Sequence, residues 1–110
     1  MTQLSFKVRE IHQAASGGSH VVIYSAELDV VEVSQPFSVE MLSVDPPDSP
    51  ADVIEVARQV MQRAVVRAFE GTGKAAGLRV RDFVIHPVDF KPSRVEEYTF
   101  RAVRGVLGGA

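Results

Sequence analysis

The feature that most constrains the fold is an alternation of apolar and polar residues around a glycine pair. Residues 4–9 (Leu-Ser-Phe-Lys-Val-Arg) alternate with a period of two, which is typical of a half-buried β-strand. Residues 21–33 form a second run that is rich in β-branched residues, and Gly17-Gly18 lies in the turn-rich stretch between the two runs. This pattern predicts a β-hairpin.

The hydrophobic pattern also predicts the register of the hairpin. If His12 faces His20 across the two strands, then Leu4 faces Leu28. The apolar residues of both strands then lie on one face of the sheet, an arrangement that a slip of one residue would destroy.

Two further strands follow along the chain. The third strand has Phe37, Val39 and Met41 as its inward residues. The fourth strand covers residues 78–90. The apolar residues that share its inner face are Leu78, Val80, Val84, Val88 and Phe90.

Both predicted helices carry start signals. Ser49 is expected to cap the first helix, which ends at Gly71 and Gly73. Ser93 and Glu96 have the spacing of a capping box, which predicts the start of the last helix.

These elements predict an α+β fold, a two-layer βββαβα sandwich in which two helices cover one face of a four-stranded, mainly antiparallel sheet. The 110 residues, 45% of them hydrophobic and 24% charged, suit a single domain over 1–110. The apolar runs are too short to cross a bilayer, and the first residues lack the pattern of a secretory signal. We therefore expect a cytoplasmic location and no membrane partner. Without cysteine, the chain has no disulfide and no cysteine metal site.

The residue types that commonly carry chemistry form no recognised constellation. Residues 71–74 (Gly-Thr-Gly-Lys) resemble a phosphate loop but close a helix instead of opening one, so we interpret them as a helix stop. His12 and His20 lack a third ligand, and solvated histidines are favoured over a metal site. We predict no cofactor and no metal.

The function that the pattern favours is a noncatalytic protein-interaction module. Several apolar residues are expected to point away from the helices, and a contiguous group of this kind usually marks an interface. The predicted interface comprises Ile11, Val21, Ile23, Leu42, Val44, Phe83 and Ile85. Its simplest form is a homodimer through the outer sheet face, with another protein as the alternative partner. Twisted or bulged strand ends would instead turn some of these residues inward.

A ribosome- or RNA-associated domain is the second function considered. The net charge of −2 is uneven, since ten basic and seven acidic residues follow position 50, against two and seven before it. The candidate RNA contacts are Arg58, Arg63, Arg67, Arg101 and Arg104. The hairpin loop is interpreted as a contact element formed by Ser16, Gly17, Gly18, Ser19 and His20. Because the basic excess is small, solvated helix faces are the favoured interpretation of the arginines.

A small enzyme with a site near the end of the fourth strand is the third function, and the chain is more simply interpreted as noncatalytic. Asp82, His86 and Asp89 are loosely grouped on this strand. Asp82 interrupts the inner face, so either a β-bulge turns it outward or it is a buried carboxylate, and the bulge is favoured. His86 is interpreted as a hydrogen-bonded residue at the strand end.

Two segments resemble domain IV of the translational GTPase elongation factor G. Residues 16–23 (Ser-Gly-Gly-Ser-His-Val-Val-Ile) are similar to its glycine loop and following strand, and residues 76–84 to the link from its helix into its last strand. The element order is also that of the fold named after ribosomal protein S5 domain 2. The resemblance implies this fold and a rigid arm whose loop tips enter the ribosomal decoding centre. The shorter hairpin loop and mildly acidic charge depart from the family.

Overall fold

The computed structural model describes residues 2–13, 19–32, 36–86 and 88–108. The predicted elements occur in the predicted order, with one additional short strand before the first helix and with the predicted fourth strand divided into two. They are β1 (Thr2–His12), β2 (His20–Val31), β3 (Ser38–Met41), β4 (Val44–Asp45), α1 (Ala51–Ala68), β5 (Ala75–Arg81), β6 (Phe83–Val84) and α2 (Pro92–Gly108).

The main sheet has four strands in the order β1-β2-β5-β3. β2 pairs antiparallel with β1 on one side and with β5 on the other, whereas β3 runs parallel to β5. β4 and β6 form a separate two-stranded parallel sheet. The predicted α+β class with a four-stranded, mainly antiparallel sheet is confirmed.

The hairpin has the predicted register. His12 lies opposite His20 and Leu4 opposite Leu28, and the pairing runs without interruption from Thr2 to His12. Along β2 the even-numbered residues are buried and the odd-numbered residues are half-buried. The even-numbered face therefore carries the core, as the alternation of the sequence indicates.

The two helices pack on this even-numbered face. Val22 and Leu28 of β2 share one buried cluster with Met61 and Val65 of α1 and with Val103 of α2. The helices are thus on one side of the sheet, as predicted. No helix within the described ranges is long and apolar enough to cross a membrane.

The predicted helix caps differ from the observed ones. Ser49 directs its hydroxyl to the carbonyl oxygen of Pro46 at 2.6 Å, and α1 begins after Pro50 without a side-chain cap. Ser93 lies inside α2, and the carbonyl oxygen of Lys91 accepts the first helical hydrogen bonds. Glu96 contacts α1 instead of the start of its own helix. Both cap predictions were wrong, because Ser49 and Glu96 bind other groups and because α2 begins before Ser93.

The helix α1 ends at Ala68, slightly before the predicted glycines, which lie in the turn that follows it. Gly71 and Gly73 have φ angles of +79° and +71°, a region that L-residues with a side chain rarely adopt. Thr72 donates a hydrogen bond from its hydroxyl to the carbonyl oxygen of Phe69 at 2.7 Å. The segment is therefore a helix stop, and the phosphate-loop interpretation is correctly rejected.

The predicted fourth strand is interrupted at Asp82, which corrects the interface prediction. Asp82 has a φ of +55° and separates β5 from β6. Two consecutive exposed residues, Arg81 and Asp82, shift the alternation by one position. Phe83 and Ile85 consequently face the core, where they are 1% and 6% exposed, instead of the outer face.

The same shift changes the residues that follow. Val84 is only half-buried, and Val88, predicted on the inner face, is 72% exposed. Leu78 and Val80, which precede the interruption, are buried as predicted. Asp82 is exposed, so the bulge interpretation of this carboxylate is confirmed over the buried one.

Candidate interaction surface

The outer face of the sheet consists of the side chains of β1, β2, β5 and β3 that point away from the helices. These side chains alternate with the core residues of the same strands. Their charged and apolar members are Lys7, Arg9, Ile11, Val21, Ile23, Glu27, Asp29, Val31, Glu40, Ala75, Arg79 and Arg81. Charged residues occupy the centre of this face, and apolar residues lie at its ends, with Ile11, Val21 and Ile23 at the end beside the hairpin loop.

The charged centre is formed by Glu27, Asp29, Arg79 and Arg81. Arg79 lies directly opposite Glu27 in the register of β2 and β5, and its Nη2 is 3.5 Å from Glu27 Oε2. Arg79 Nε is 3.1 Å from Asp29 Oδ2, an ion-pair distance without the angle of a hydrogen bond. Arg81 Nε lies 3.5 Å from Glu27 Oε1. Opposite charges on neighbouring strands stabilise the sheet and neutralise one another here.

The apolar end of the face, which we term the end patch, consists of Ile11, Val21 and Ile23. Ile11 lies opposite Val21 next to the hairpin loop, and its side chain is 49% exposed. Val21 and Ile23 are half-buried. A shallow cleft of about 210 Å³ borders the patch and is lined in part by Ile23, Arg9 and Asp82.

The other predicted interface residues lie elsewhere. Phe83 and Ile85 belong to the core. Leu42 follows β3, at the opposite edge of the sheet from β1, and is 37% exposed. Val44 packs against the core from β4 and shares with Leu42 a cleft near the start of α1. The structure thus brings together three of the seven predicted residues.

The predicted loop contact is only partly within the described chain. Ser16, Gly17 and Gly18 lie outside the described residues, and Ser19 is half-buried. His20 is 4% exposed, so the prediction that it is solvated was wrong. Its ring stacks on that of His12 with 5.2 Å between centroids.

His20 is buried because α2 covers the end of β2. Its Nε2 lies 2.9 Å from the hydroxyl of Tyr98 on α2. Its Nδ1 is buried without a hydrogen-bond partner in the described part of the chain. Within the described ranges, no three potential ligands are grouped in a way that would hold a metal ion.

Four of the five arginines proposed as RNA contacts are engaged within the protein. Arg58 pairs with Glu55, and Arg101 lies 2.8 Å from Glu97. Arg63 and Arg67 both reach across to α2, in the ion pairs Arg63 Nη2–Glu96 Oε1 and Arg67 Nη1–Glu96 Oε2, each of 3.2 Å. Such pairing reduces the charge that these side chains offer to a phosphate backbone.

Arg104, the fifth candidate, is exposed. The arginines lie on two helices on the opposite side of the sheet from the outer face. Their ion pairs are exposed and individually weak, so a polyanion would have to displace several of them together.

The three residues proposed for an enzyme site do not form one interacting cluster. His86 Nδ1 lies 3.2 Å from Asp89 Oδ2, three residues along the chain. Asp82 is instead held by Ser43, whose hydroxyl oxygen accepts a hydrogen bond from the Asp82 backbone N–H at 2.8 Å. His86 is exposed and pairs locally, which agrees with its interpretation as a hydrogen-bonded strand-end residue.

Comparison of the sequence with protein-family models and with curated proteins gives no match. Among solved structures, the fold is similar to the crystal structure of ttk003000868 from Thermus thermophilus. The TM-score is 0.56 and the sequence identity is 13% over 94% of this chain. The matched region spans 15% of that much longer chain. The similarity shows a shared α+β fold.

Proposed function

We propose that this protein is a noncatalytic protein-interaction module that binds a second copy or another protein through the end patch. The observation that carries the proposal is the one-sided covering of the sheet. Both helices pack on the even-numbered face, while Ile11, Val21 and Ile23 lie together on the other face with Ile11 half exposed. Covering these side chains would remove apolar surface from water, which is the main favourable term in protein association.

The end patch is a better contact than the charged centre. Glu27, Asp29, Arg79 and Arg81 already pair with one another, and a partner that covered them would have to compensate the loss of their hydration. Covering the apolar side chains of the end patch does not remove hydration from charged groups. Lys7 and Arg9, next to the patch on β1, supply a polar and cationic rim.

The location also agrees with the resemblance to domain IV of elongation factor G. In that family the loop tips are the contacting end of the arm, and the end patch lies beside the corresponding hairpin loop. This proposal includes the ribosomal protein S5 domain 2 fold for the chain. It also includes a relationship to domain IV of elongation factor G in particular.

Site-directed photo-crosslinking tests the proposal. A photoreactive amino acid replaces Ile11 in one variant and Val66, a similarly exposed residue on the far side of α1, in the control. We expect discrete protein adducts from position 11 that are lost when Ile23→Lys is added, and none of these adducts from position 66. Equal adducts from both positions, or adducts with another protein that survive Ile23→Lys in a folded protein, would contradict the proposal.

A further inference from the structure

β1 is an edge strand with an unusually long free side. It pairs with β2 along all of Thr2–His12, and no described strand lies on its other side. The opposite edge of the sheet, β3, covers only Ser38–Met41. A long, regular edge leaves a row of backbone N–H and C=O groups that can pair with another strand.

The usual devices that protect an edge are largely missing from β1. The strand contains no proline, and its register with β2 shows no bulge. Its charged residues are Lys7 and Arg9 on the outer face and Glu10 on the core-facing side, and charged side chains are thus the one protective device that the strand carries. Its length, the lack of proline and the unbroken register leave the backbone groups of this edge able to pair with a second strand.

The core side of β1 is also incompletely covered. Val8 is 6% exposed, whereas Leu4 and Phe6 are only half-buried although they face the same side. The Phe6 ring packs edge-on against Tyr24 of the neighbouring strand, with 6.1 Å between centroids, and no described strand lies on the other side of β1. A strand added at this edge would cover both residues.

We propose that β1 pairs antiparallel with β1 of a second copy, with Phe6 opposite Phe6 of the second copy. In this register Leu4 of each copy faces Val8 of the other, which extends the apolar layer across the junction. On the outer face Lys7 meets Ser5, and Arg9 meets Gln3. Directly opposite residues of antiparallel strands point to the same side, so the apolar and polar faces of the two copies match.

The charges of β1 select this register. Centring the pair on Lys7 places two lysines opposite each other, and centring it on Arg9 places two arginines together. Centring it on Val8 sets Lys7 against Arg9. Like charges directly opposite are destabilising. Centring on Ser5 avoids this repulsion but shortens the pairing from residues 2–10 to residues 2–8. Sliding one β1 strand by a single residue along the other would place the apolar residues of one copy opposite the polar residues of the other.

The pairing joins two four-stranded sheets into one continuous sheet with all helices on the same side. The two outer faces become one surface that carries two end patches roughly 30 Å apart, given the rise per residue of a strand. The dimer thereby deepens the proposed function, since it would present the patch twice. The pairing itself involves residues 2–10 and does not depend on the end patch.

Complementary charges at position 6 test both the dimer and its register. If residue 6 of one copy lies opposite residue 6 of the other, Phe6→Lys and Phe6→Glu each place two like charges opposite each other. In any other register they do not. We expect wild type to be a dimer by sedimentation equilibrium, and each variant alone to have a dissociation constant raised about tenfold or more. An equimolar mixture of the two variants is expected to recover the dimer. Ser38→Lys, on the other edge strand, is the control and should remain dimeric.

The remaining outcomes are equally decisive. A monomeric wild type, or variants that are folded by circular dichroism and whose mixture stays monomeric, would overturn the proposal. If the variants do not fold, amide hydrogen exchange of the wild type decides, because alternate amides of β1 should become protected as the concentration rises. Exchange in β1 that is independent of concentration would then overturn it. Ile23→Lys should leave the dimer intact, which separates this inference from failure of the end patch.

Discussion

The hydroxyl oxygen of Tyr24 on β2 lies 2.6 Å from Oγ1 of Thr99 on α2, and both residues are buried. This hydrogen bond joins the sheet to the helix layer inside the core. Burial of the phenol raises its pKa well above the usual value of 10.0, and the hydrogen bond with Thr99 offsets only part of this effect. The pair satisfies two hydroxyl groups that would otherwise be costly to bury.

We expect Tyr24→Phe to reduce the free energy of unfolding by about 1–2 kcal/mol, because the hydroxyl of Thr99 loses its partner. Thr99→Val should cost a similar amount. The double variant should be more stable than the sum of the two losses predicts, since it leaves no hydroxyl unpaired. Urea denaturation of the four proteins measures the coupling, and strictly additive losses would contradict the importance of this hydrogen bond.

Tyr24 should also make the protein sensitive to alkali. Its pKa is raised in the folded state, so its contribution to stability is constant below about pH 10, the unfolded value, and falls as the pH rises above it. We expect the urea midpoint of wild type to fall more steeply above pH 10 than that of Tyr24→Phe. Tyr98→Phe serves as the control, because Tyr98 is half-buried. Parallel curves for wild type and Tyr24→Phe would contradict the prediction.

Phe83 and Ile23 provide a test of the corrected strand. Phe83 is 1% exposed and contacts Tyr24 with 5.7 Å between ring centroids, whereas Ile23 lies on the outer face. Phe83→Ala should lower the free energy of unfolding by about 3–5 kcal/mol through loss of buried area and formation of a cavity. Ile23→Ala should cost less than about 1 kcal/mol. If chemical denaturation showed similar losses of unfolding free energy for the two variants, Phe83 would not face the core.

Asp82 should respond to substitution according to its backbone conformation. Its φ of +55° is accessible to glycine but unfavourable for a β-branched residue. We expect Asp82→Gly to remain within about 1 kcal/mol of wild type, and Asp82→Val to be about 2 kcal/mol less stable. Both variants lose the carboxylate contact with Ser43, so their difference reports the backbone alone. Equal stability of the two variants in thermal denaturation would exclude a left-handed conformation at this position.

The same interruption shows how far the sequence predicts the fold. The hairpin register was predicted by placing His12 opposite His20 across the glycine turn, because Leu4 and Leu28 then share a face with the other apolar residues of both strands. A bulge at Asp82 was the favoured interpretation, but the sequence does not show that the alternation beyond the bulge is shifted by one position. Phe83 and Ile85 were therefore placed on the wrong face.

Long-range contacts explain the errors at the candidate surface. His20 is buried because Tyr98, distant in the chain, reaches its Nε2. A sequence pattern places His20 on the core face of its strand, but it does not show that α2 extends over that end of the sheet. The sequence likewise shows the positive charges of the paired arginines on α1, but not their partner. Glu96, which pairs with them, was assigned to a cap of its own helix.

Glu96 and Ser93 distinguish a contact between the helices from a cap within one helix. A capping box would make Ser93→Ala cost about 1 kcal/mol and would tolerate Glu96→Gln, since glutamine serves equally well at that position. The structure instead pairs Glu96 with Arg63 and Arg67 of α1. We therefore expect Ser93→Ala to be nearly neutral. Glu96→Gln should cost up to about 1 kcal/mol at low ionic strength and progressively less as salt screens the pairs.

Glu97→Gln is the matched control, because Glu97 pairs with Arg94 and Arg101 within α2 and has no partner on α1 among the described residues. Double-mutant cycles that combine each glutamate variant with Arg67→Ala separate the two positions. Coupling is expected for Glu96 and not for Glu97. A costly Ser93→Ala together with a neutral, salt-independent Glu96→Gln would instead show that Glu96 caps its own helix and that α1 and α2 are held together by their apolar contacts alone.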